Sequence, residues 1–144
     1  MGLKVELKPG ERLIIGECLI TNDEQRTRLL IEGQAPILRE KDIMLPAKAD
    51  TPAKRIYLAV QLMYTSRDPS THHATYFSLM RDLVQAAPSA WPYMTEISNH
   101  IMAGEMYKAL KSAKALIIYE KELLDHATRG ASLRRGRQAD RKSA

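Results

Sequence analysis

Residues 3–16 are LKVELKPGERLIIG, and their pattern sets the character of the amino-terminal part of the chain. The first three apolar residues alternate with charged residues, a period of two that is typical of a β-strand with one buried face. Pro9-Gly10 ends this strand, because this pair favours a turn. The apolar run at residues 13–15 then predicts a second strand.

Three more candidate strands follow: the apolar run at residues 18–20, residues 26–32, in which Thr27, Leu29 and Ile31 share one face, and residues 37–44. Glycines and an Asn-Asp pair, which are turn-forming residues, lie between the runs. Short consecutive strands joined by tight turns pair in antiparallel fashion. The sequence therefore predicts a small antiparallel β module over residues 1–46.

Residues 47–128 have helical periodicity instead. Asp50 or Thr51 can cap a first helix that has Pro52 in its first turn, where a missing N–H costs nothing. Apolar residues recur every three or four positions and predict about four helices, of which the last ends near residue 127. The aromatic residues fall almost wholly within these helices, and we expect them to be core residues.

The final segment, residues 129–144, holds six basic residues against a single acidic one. With so few apolar side chains it is predicted to be a disordered basic tail when free. Such a tail either solubilises the protein or attracts an anionic partner such as RNA. The predicted fold class is therefore α+β: a small amino-terminal antiparallel β module, a helical region of about four helices and a disordered basic tail.

Composition and motifs narrow the class of protein. Cys18 is the single cysteine of the chain, so an internal disulfide is impossible and a reducing, cytoplasmic setting is expected. The amino terminus lacks the apolar run of a secretory signal or a membrane span. There is no glycine-rich phosphate loop and no nucleophile elbow, so we expect no cofactor and no small-molecule substrate.

The four histidines are the remaining candidates for catalysis or metal binding. Glu96 and His100 lie four residues apart and share a helix face, but a closed metal site needs four ligands and no second pair is visible. We therefore expect no metal site, no catalytic residues and no enzymatic activity.

Four stretches of the chain, at residues 3–16, 20–23, 35–43 and 51–64, together resemble the FlbT family of flagellum biosynthesis repressors. The resemblance runs through about residue 125. It implies a post-transcriptional repressor of bacterial flagellum biogenesis that binds the 5′ untranslated region of flagellin mRNA and promotes its degradation. It also implies a partnership with a FlaF-type flagellar regulator.

The sequence GERLIIG at residues 10–16, with the later Ala35-Pro36 and Arg39, is similar to the carbon storage regulator CsrA, a dimeric β protein that binds RNA leaders. This resemblance implies RNA contacts from Lys8 on the first strand and from Arg39 on the last, whereas Leu7 stands where that family has a second basic residue. So short a β module has little core, and we expect it to dock on the helices or to form a homodimer.

The leading hypothesis is an RNA-binding regulator in which basic residues of the β module line a phosphate-facing edge and the tail adds sequence-independent affinity. The alternative is a protein-interaction adaptor that acts with FlaF or flagellin in flagellar assembly without direct RNA readout. The net charge of −1 over residues 1–50 favours this alternative. A nuclease is a third class, but no carboxylates cluster to hold its metal ions. The predicted RNA-binding residues are Lys8, Arg12, Arg26, Arg28, Arg39, Lys41, Arg134, Arg135 and Arg137.

Overall fold

The computed structural model describes residues 2–142, with side chains described as far as Arg129. Five strands precede four helices, which confirms the predicted α+β fold class. The strands are β1 (Leu3–Leu7), β2 (Arg12–Ile15), β3 (Cys18–Thr21), β4 (Thr27–Ile31) and β5 (Ile37–Arg39). The helices are α1 (Pro52–Thr65), α2 (His73–Ala86), α3 (Trp91–Met102) and α4 (Met106–Lys142).

The strands form two small antiparallel sheets. One consists of β1 and β4, with Leu3 opposite Ile31, and the other has the order β3-β2-β5. The alternation that predicted β1 is confirmed for Val5 and Leu7, which are buried while Lys4 and Glu6 are exposed, whereas Leu3 at the start of the strand is also exposed. Together with Leu13 of β2, Val5 and Leu7 form the centre of a small core.

The last predicted strand is shorter than expected. The sequence predicted a strand over residues 37–44, but β5 ends at Arg39 and a single 3-10 turn, Glu40–Asp42, follows it. The cause is that Asp42 is buried against the helices. Its carbonyl accepts a hydrogen bond from Tyr57 and its carboxylate accepts one from Lys114, so side chains of the helices replace strand partners.

The main core lies among the helices. Helix α1 begins as predicted, with the Thr51 side chain accepting a hydrogen bond from the Lys54 N–H at 3.3 Å. Ile56 and Val60 of α1 are fully buried, and Leu38 of β5 belongs to the same core. Burial of one such large apolar side chain contributes about 1.5–3 kcal/mol, so β5 is anchored in the helical core.

The prediction that the aromatic residues are core residues is right for some and wrong for others. Tyr57 and Tyr76 are buried, whereas the exposed fractions of Phe77, Trp91 and Tyr107 are 43%, 55% and 42%. Trp91 and Tyr107 lie in the first turns of α3 and α4. An apolar stripe continues into the first turn of a helix even where the packed core does not reach it.

Helix α4 is longer than predicted and continues to Lys142. The sequence predicted that the last helix ends near residue 127, whereas α4 includes the backbone of the basic tail as far as Lys142. Within the residues that the structure describes, no helix has both the length and the apolar character needed to cross a membrane. The predicted tail residues whose side chains lie outside the described part are Arg134, Arg135 and Arg137.

A partly buried set of hydrogen bonds joins the β module to the helices. The Gln61 side chain accepts a hydrogen bond from the Met44 N–H at 2.7 Å and donates one to the Met44 carbonyl at 3.1 Å. Burial, and then the nearby Asp42 carboxylate, raises the pKa of Tyr57 above its usual range, so its hydroxyl stays protonated and donates to the Asp42 carbonyl. We call Asp42, Met44, Tyr57, Gln61 and Lys114 the polar joint.

We expect Gln61→Ala to lower the free energy of unfolding by about 1–2 kcal/mol, because it leaves the N–H and carbonyl of Met44 without protein partners in a partly buried place. Urea denaturation measures this loss. Gln85→Ala is the matched control, since Gln85 is exposed on α2, and it should change the free energy by less than about 0.5 kcal/mol. Equal effects of the two substitutions would contradict the structural role of the joint.

Candidate nucleic-acid interface

The six predicted basic residues of the β module fall in two places. Arg26 and Arg28 lie on the β1-β4 sheet beside Glu6, which pairs with the Arg26 guanidinium at 2.9 Å and stands opposite Arg28 in the register. This ion pair is exposed to solvent and contributes little stability. The other four lie around the end of β5 and the neighbouring turn, and they are Lys8, Arg12, Arg39 and Lys41.

Lys8 and Lys41 line a shallow hollow of about 480 Å³ beside the Pro9-Gly10 turn. Two carboxylates, those of Glu11 and Glu40, line the same hollow. The Nε of Arg12 pairs with Glu40 at 3.1 Å. Acidic groups therefore balance the basic ones here, which makes this hollow a poor phosphate site.

Lys41 also lines a second hollow of about 460 Å³, together with Arg39. Tyr64 in the last turn of α1 and Tyr107 in the first turn of α4 form one side of it. The centroids of the two rings are 6.0 Å apart and the ring planes are tilted by 44°. The Lys111 ammonium lies 4.9 Å from the centroid of the Tyr107 ring, over its face.

A third hollow, of about 580 Å³, continues from the same pair of rings and is lined by Arg67 and Lys108. Tyr64 and Tyr107 are the residues that line both the second and the third hollow. We call these two hollows, with the tyrosine pair between them, the tyrosine groove. It lies between the end of the β module, the last turn of α1 and the first turn of α4.

Both carboxylates that line the tyrosine groove have cationic partners. Asp42 accepts a hydrogen bond from Lys114, and Glu105 accepts one from Lys108 at 2.7 Å. The hydrogen bond from Lys108 holds the pKa of the Glu105 carboxyl below its usual range, so this carboxylate stays ionised and paired. Among the described side chains, the groove cations that form no ion pair with a carboxylate are Arg39, Lys41 and Arg67.

The turn between α3 and α4 places Tyr107 in the groove. Gly104 has a φ of 75°, a left-handed conformation that favours glycine. Its N–H donates to the carbonyl of Ile101 at 3.1 Å, and the N–H of Glu105 donates to the carbonyl of His100 at 2.8 Å. These two bonds form a Schellman motif, which ends α3 and lets α4 begin within a few residues.

Sequence reasoning did not predict that Tyr64, Tyr107 and Arg67 line a common groove. It placed the tyrosines in the core and looked for RNA contacts mainly in the β module and the tail. One local signal was present, because Tyr107 and Lys111 lie four residues apart and so share a face of α4. No local sequence pattern predicted that Arg39 lies close to these tyrosines.

The histidines do not assemble a metal site in the described part of the chain. The His100 Nε2 lies 3.9 Å from a Glu96 carboxylate oxygen, and its Nδ1 lies 3.7 Å from a Glu105 carboxylate oxygen. Within residues 2–129 no three side chains of the His, Cys, Asp and Glu types come together in a way that could hold a metal ion.

Comparison with known proteins identifies the family. The family model described as flagellar protein FlbT matches residues 3–124. The chain belongs to the FlbT family. The FlbT match includes the five strands, the polar joint and the tyrosine groove, and it ends before the arginines of the tail.

Curated relatives in the FlbT family cover most of the chain. The probable flagellum biosynthesis repressor protein FlbT 1 of Bradyrhizobium diazoefficiens is 60% identical over 124 residues, which are 85% of each chain. The Rhodopseudomonas palustris relative is 49% identical and covers 86% of this chain and 98% of its own. The flagellum biosynthesis repressor protein FlbT of Caulobacter vibrioides is 38% identical, over 92% of this chain and 96% of its own. No solved structure gives a significant match, so the likeness to CsrA stays a prediction.

Replacement of Lys114 by Met tests whether the ion pair between Lys114 and Asp42 stabilises the fold around the tyrosine groove. The Asp42 carboxylate would lose its cationic partner in a nearly buried place, and we expect the free energy of unfolding to fall by about 1–2 kcal/mol. Lys121→Met on an exposed part of the same helix is the control, expected to change the free energy by less than about 0.5 kcal/mol. If urea denaturation gives the same value for both, Lys114 is only a surface charge.

Proposed function

We propose that the chain is a post-transcriptional repressor of flagellum biogenesis that binds the 5′ untranslated region of flagellin mRNA and promotes the degradation of that mRNA. Its role in this proposal is binding, not catalysis. The tyrosine groove is the RNA site, and the tail arginines Arg134, Arg135 and Arg137 add affinity that does not depend on sequence.

The observation that carries the proposal is the arrangement of charge in the tyrosine groove. Arg39, Lys41 and Arg67 lie along one groove, and the two carboxylates that line it are paired with lysines. The Glu17 carboxylate beside the groove accepts a hydrogen bond from the Arg67 N–H at 3.2 Å. The net charge of residues 1–50, which is −1, is therefore a poor guide to this surface. Segregation of cations on one face is what a phosphate site needs.

Each part of the groove has a separate role in the proposal. Arginine and lysine side chains bind phosphate oxygens and so fix the register of the RNA without reading its sequence. Recognition of particular RNA sequences mostly targets unpaired bases in loops and ends. A leader with an unpaired segment is therefore the form of mRNA that this groove would bind.

A second candidate function, an adaptor for a FlaF-type regulator or for flagellin, has its own supporting observation. An apolar groove of about 630 Å³ lies between the beginning of α1, the end of α2 and the middle of α4. Leu83 and Leu116 line it, and Leu124 at its rim is 54% exposed. Apolar grooves between helices commonly receive a partner helix. In this proposal the effect on RNA is indirect. The homodimer expected from the sequence stays a prediction.

Binding of a flagellin leader RNA, compared with a scrambled RNA of the same composition over a salt series, tests the proposal. We expect the leader to bind more tightly. Arg39→Ala combined with Lys41→Ala should weaken leader binding about tenfold or more and reduce the salt slope by about 1–2, because two phosphate contacts are lost. The control, Arg81→Ala combined with Lys121→Ala, removes two exposed charges that do not line the groove and should leave leader binding unchanged.

Replacement of the three tail arginines by Gln in the full chain completes the test. We expect both RNAs to lose the same factor in affinity. A loss of leader preference in this variant would assign the recognition to the tail and contradict the role of the groove. If the unaltered chain shows no preference for the leader at any salt concentration, direct readout is wrong and the adaptor function is favoured.

A further inference from the structure

We infer that Tyr64 and Tyr107 form a stacking platform for an unpaired base of a single-stranded nucleic acid. This inference rests on the proposed RNA binding and deepens it, because it names the chemical class of ligand and two residues that neither the sequence motifs nor the family match points out. The platform lies on the helices, outside the β module that the sequence indicated as the RNA-binding part.

The geometry of the pair is suited to receiving a flat ring. The ring centroids are 6.0 Å apart with a tilt of 44°, so the two rings contact each other, and a base would stack on a ring face that this contact leaves open. Tyr107 is 42% exposed, which leaves much of its surface available to a ligand. Every base has a π-face, so stacking on tyrosine tolerates any base.

The charges on both sides of the pair fit a backbone that passes over it. Arg39 and Lys41 line the hollow on one side, and Arg67 lines the hollow on the other, where Lys108 is paired with Glu105. A strand whose base rests on the tyrosines would therefore meet cations both before and after that base. Lys111 lies over the Tyr107 ring and would move from the ring to a phosphate when a base takes its place.

A second tyrosine pair shows what a purely structural pair looks like in this fold. The rings of Tyr93 and Tyr119 are nearly parallel, at 23°, with centroids 4.6 Å apart, so they stack on each other. The hydroxyl of Tyr119 bonds to Ser89. Tyr119 lies twelve residues beyond Tyr107 on α4, about 18 Å along the helix axis. Its position and closed geometry make this pair a matched control.

The test measures binding of a short, unstructured single-stranded RNA of mixed sequence, and of an abasic strand of the same length, to the full chain. Tyr107→Leu removes the ring, Tyr107→Phe keeps it, and Tyr93→Leu removes a ring from the control pair. We expect Tyr107→Leu to weaken binding of the RNA between about fivefold and a hundredfold. The other two variants should bind the RNA as the unaltered chain does. Circular dichroism melting of each variant establishes that it is folded.

The abasic strand separates stacking from charge. Because it has phosphates without bases, the unaltered chain and Tyr107→Leu should bind it equally. Equal weakening of both strands by Tyr107→Leu would overturn the inference, as would a loss in Tyr107→Phe equal to that in Tyr107→Leu. Binding of polyglutamate that depends on the Tyr107 ring as strongly as binding of RNA does would also overturn it, and would assign the groove to an acidic protein.

Failure of the inference differs from failure of the proposed function. If the flagellin leader is preferred over its scrambled control and Tyr107→Leu has no effect on either RNA, the proposed function stands and the platform is wrong. If the mixed-sequence RNA binds in a ring-dependent manner and the leader has no advantage, the platform stands and leader recognition is wrong.

Discussion

The hydrogen bonds between the Gln61 side chain and the backbone of Met44 are the constraint on which the rest of the structure depends. The chain leaves the sheet after Arg39 and must cross to the helices, and buried backbone groups on that crossing need partners. Gln61 satisfies both polar groups of Met44, while Tyr57 satisfies the Asp42 carbonyl. A short β module with little core of its own is thereby held on the helices.

The tyrosine groove follows from this attachment. Arg39 and Lys41 belong to the segment that the joint fixes, whereas Tyr64 and Tyr107 belong to the helices. Lys114 has two effects, because its bond to the Asp42 carboxylate stabilises the joint and also removes a free negative charge from the groove. The same interactions that give the fold its shape thus produce a basic surface in a segment of almost balanced charge.

The features that could be predicted are those that depend on residues close together in the sequence. The alternation over residues 3–7 is sufficient for β1, and Thr51 before Pro52 is sufficient for the start of α1. The end of β5 could not be predicted, since it depends on Lys114, which lies 72 residues after Asp42 in the chain. The groove was missed for the same reason. Periodicity identifies a helix face, but only the packing of α4 against α1 brings Tyr107 beside Tyr64.

Native-state hydrogen exchange tests most directly the claim that the polar joint makes the β module and the helices one structural unit. The amides that pair β2 with β5 and the core amides of α1 should open with free energies within about 1 kcal/mol of one another, and both should fall together in Gln61→Ala. Rapid exchange of the amides that pair β2 with β5, while the amides of α1 stay protected, would show that the β module opens alone. This result would contradict the claim that the polar joint makes one structural unit.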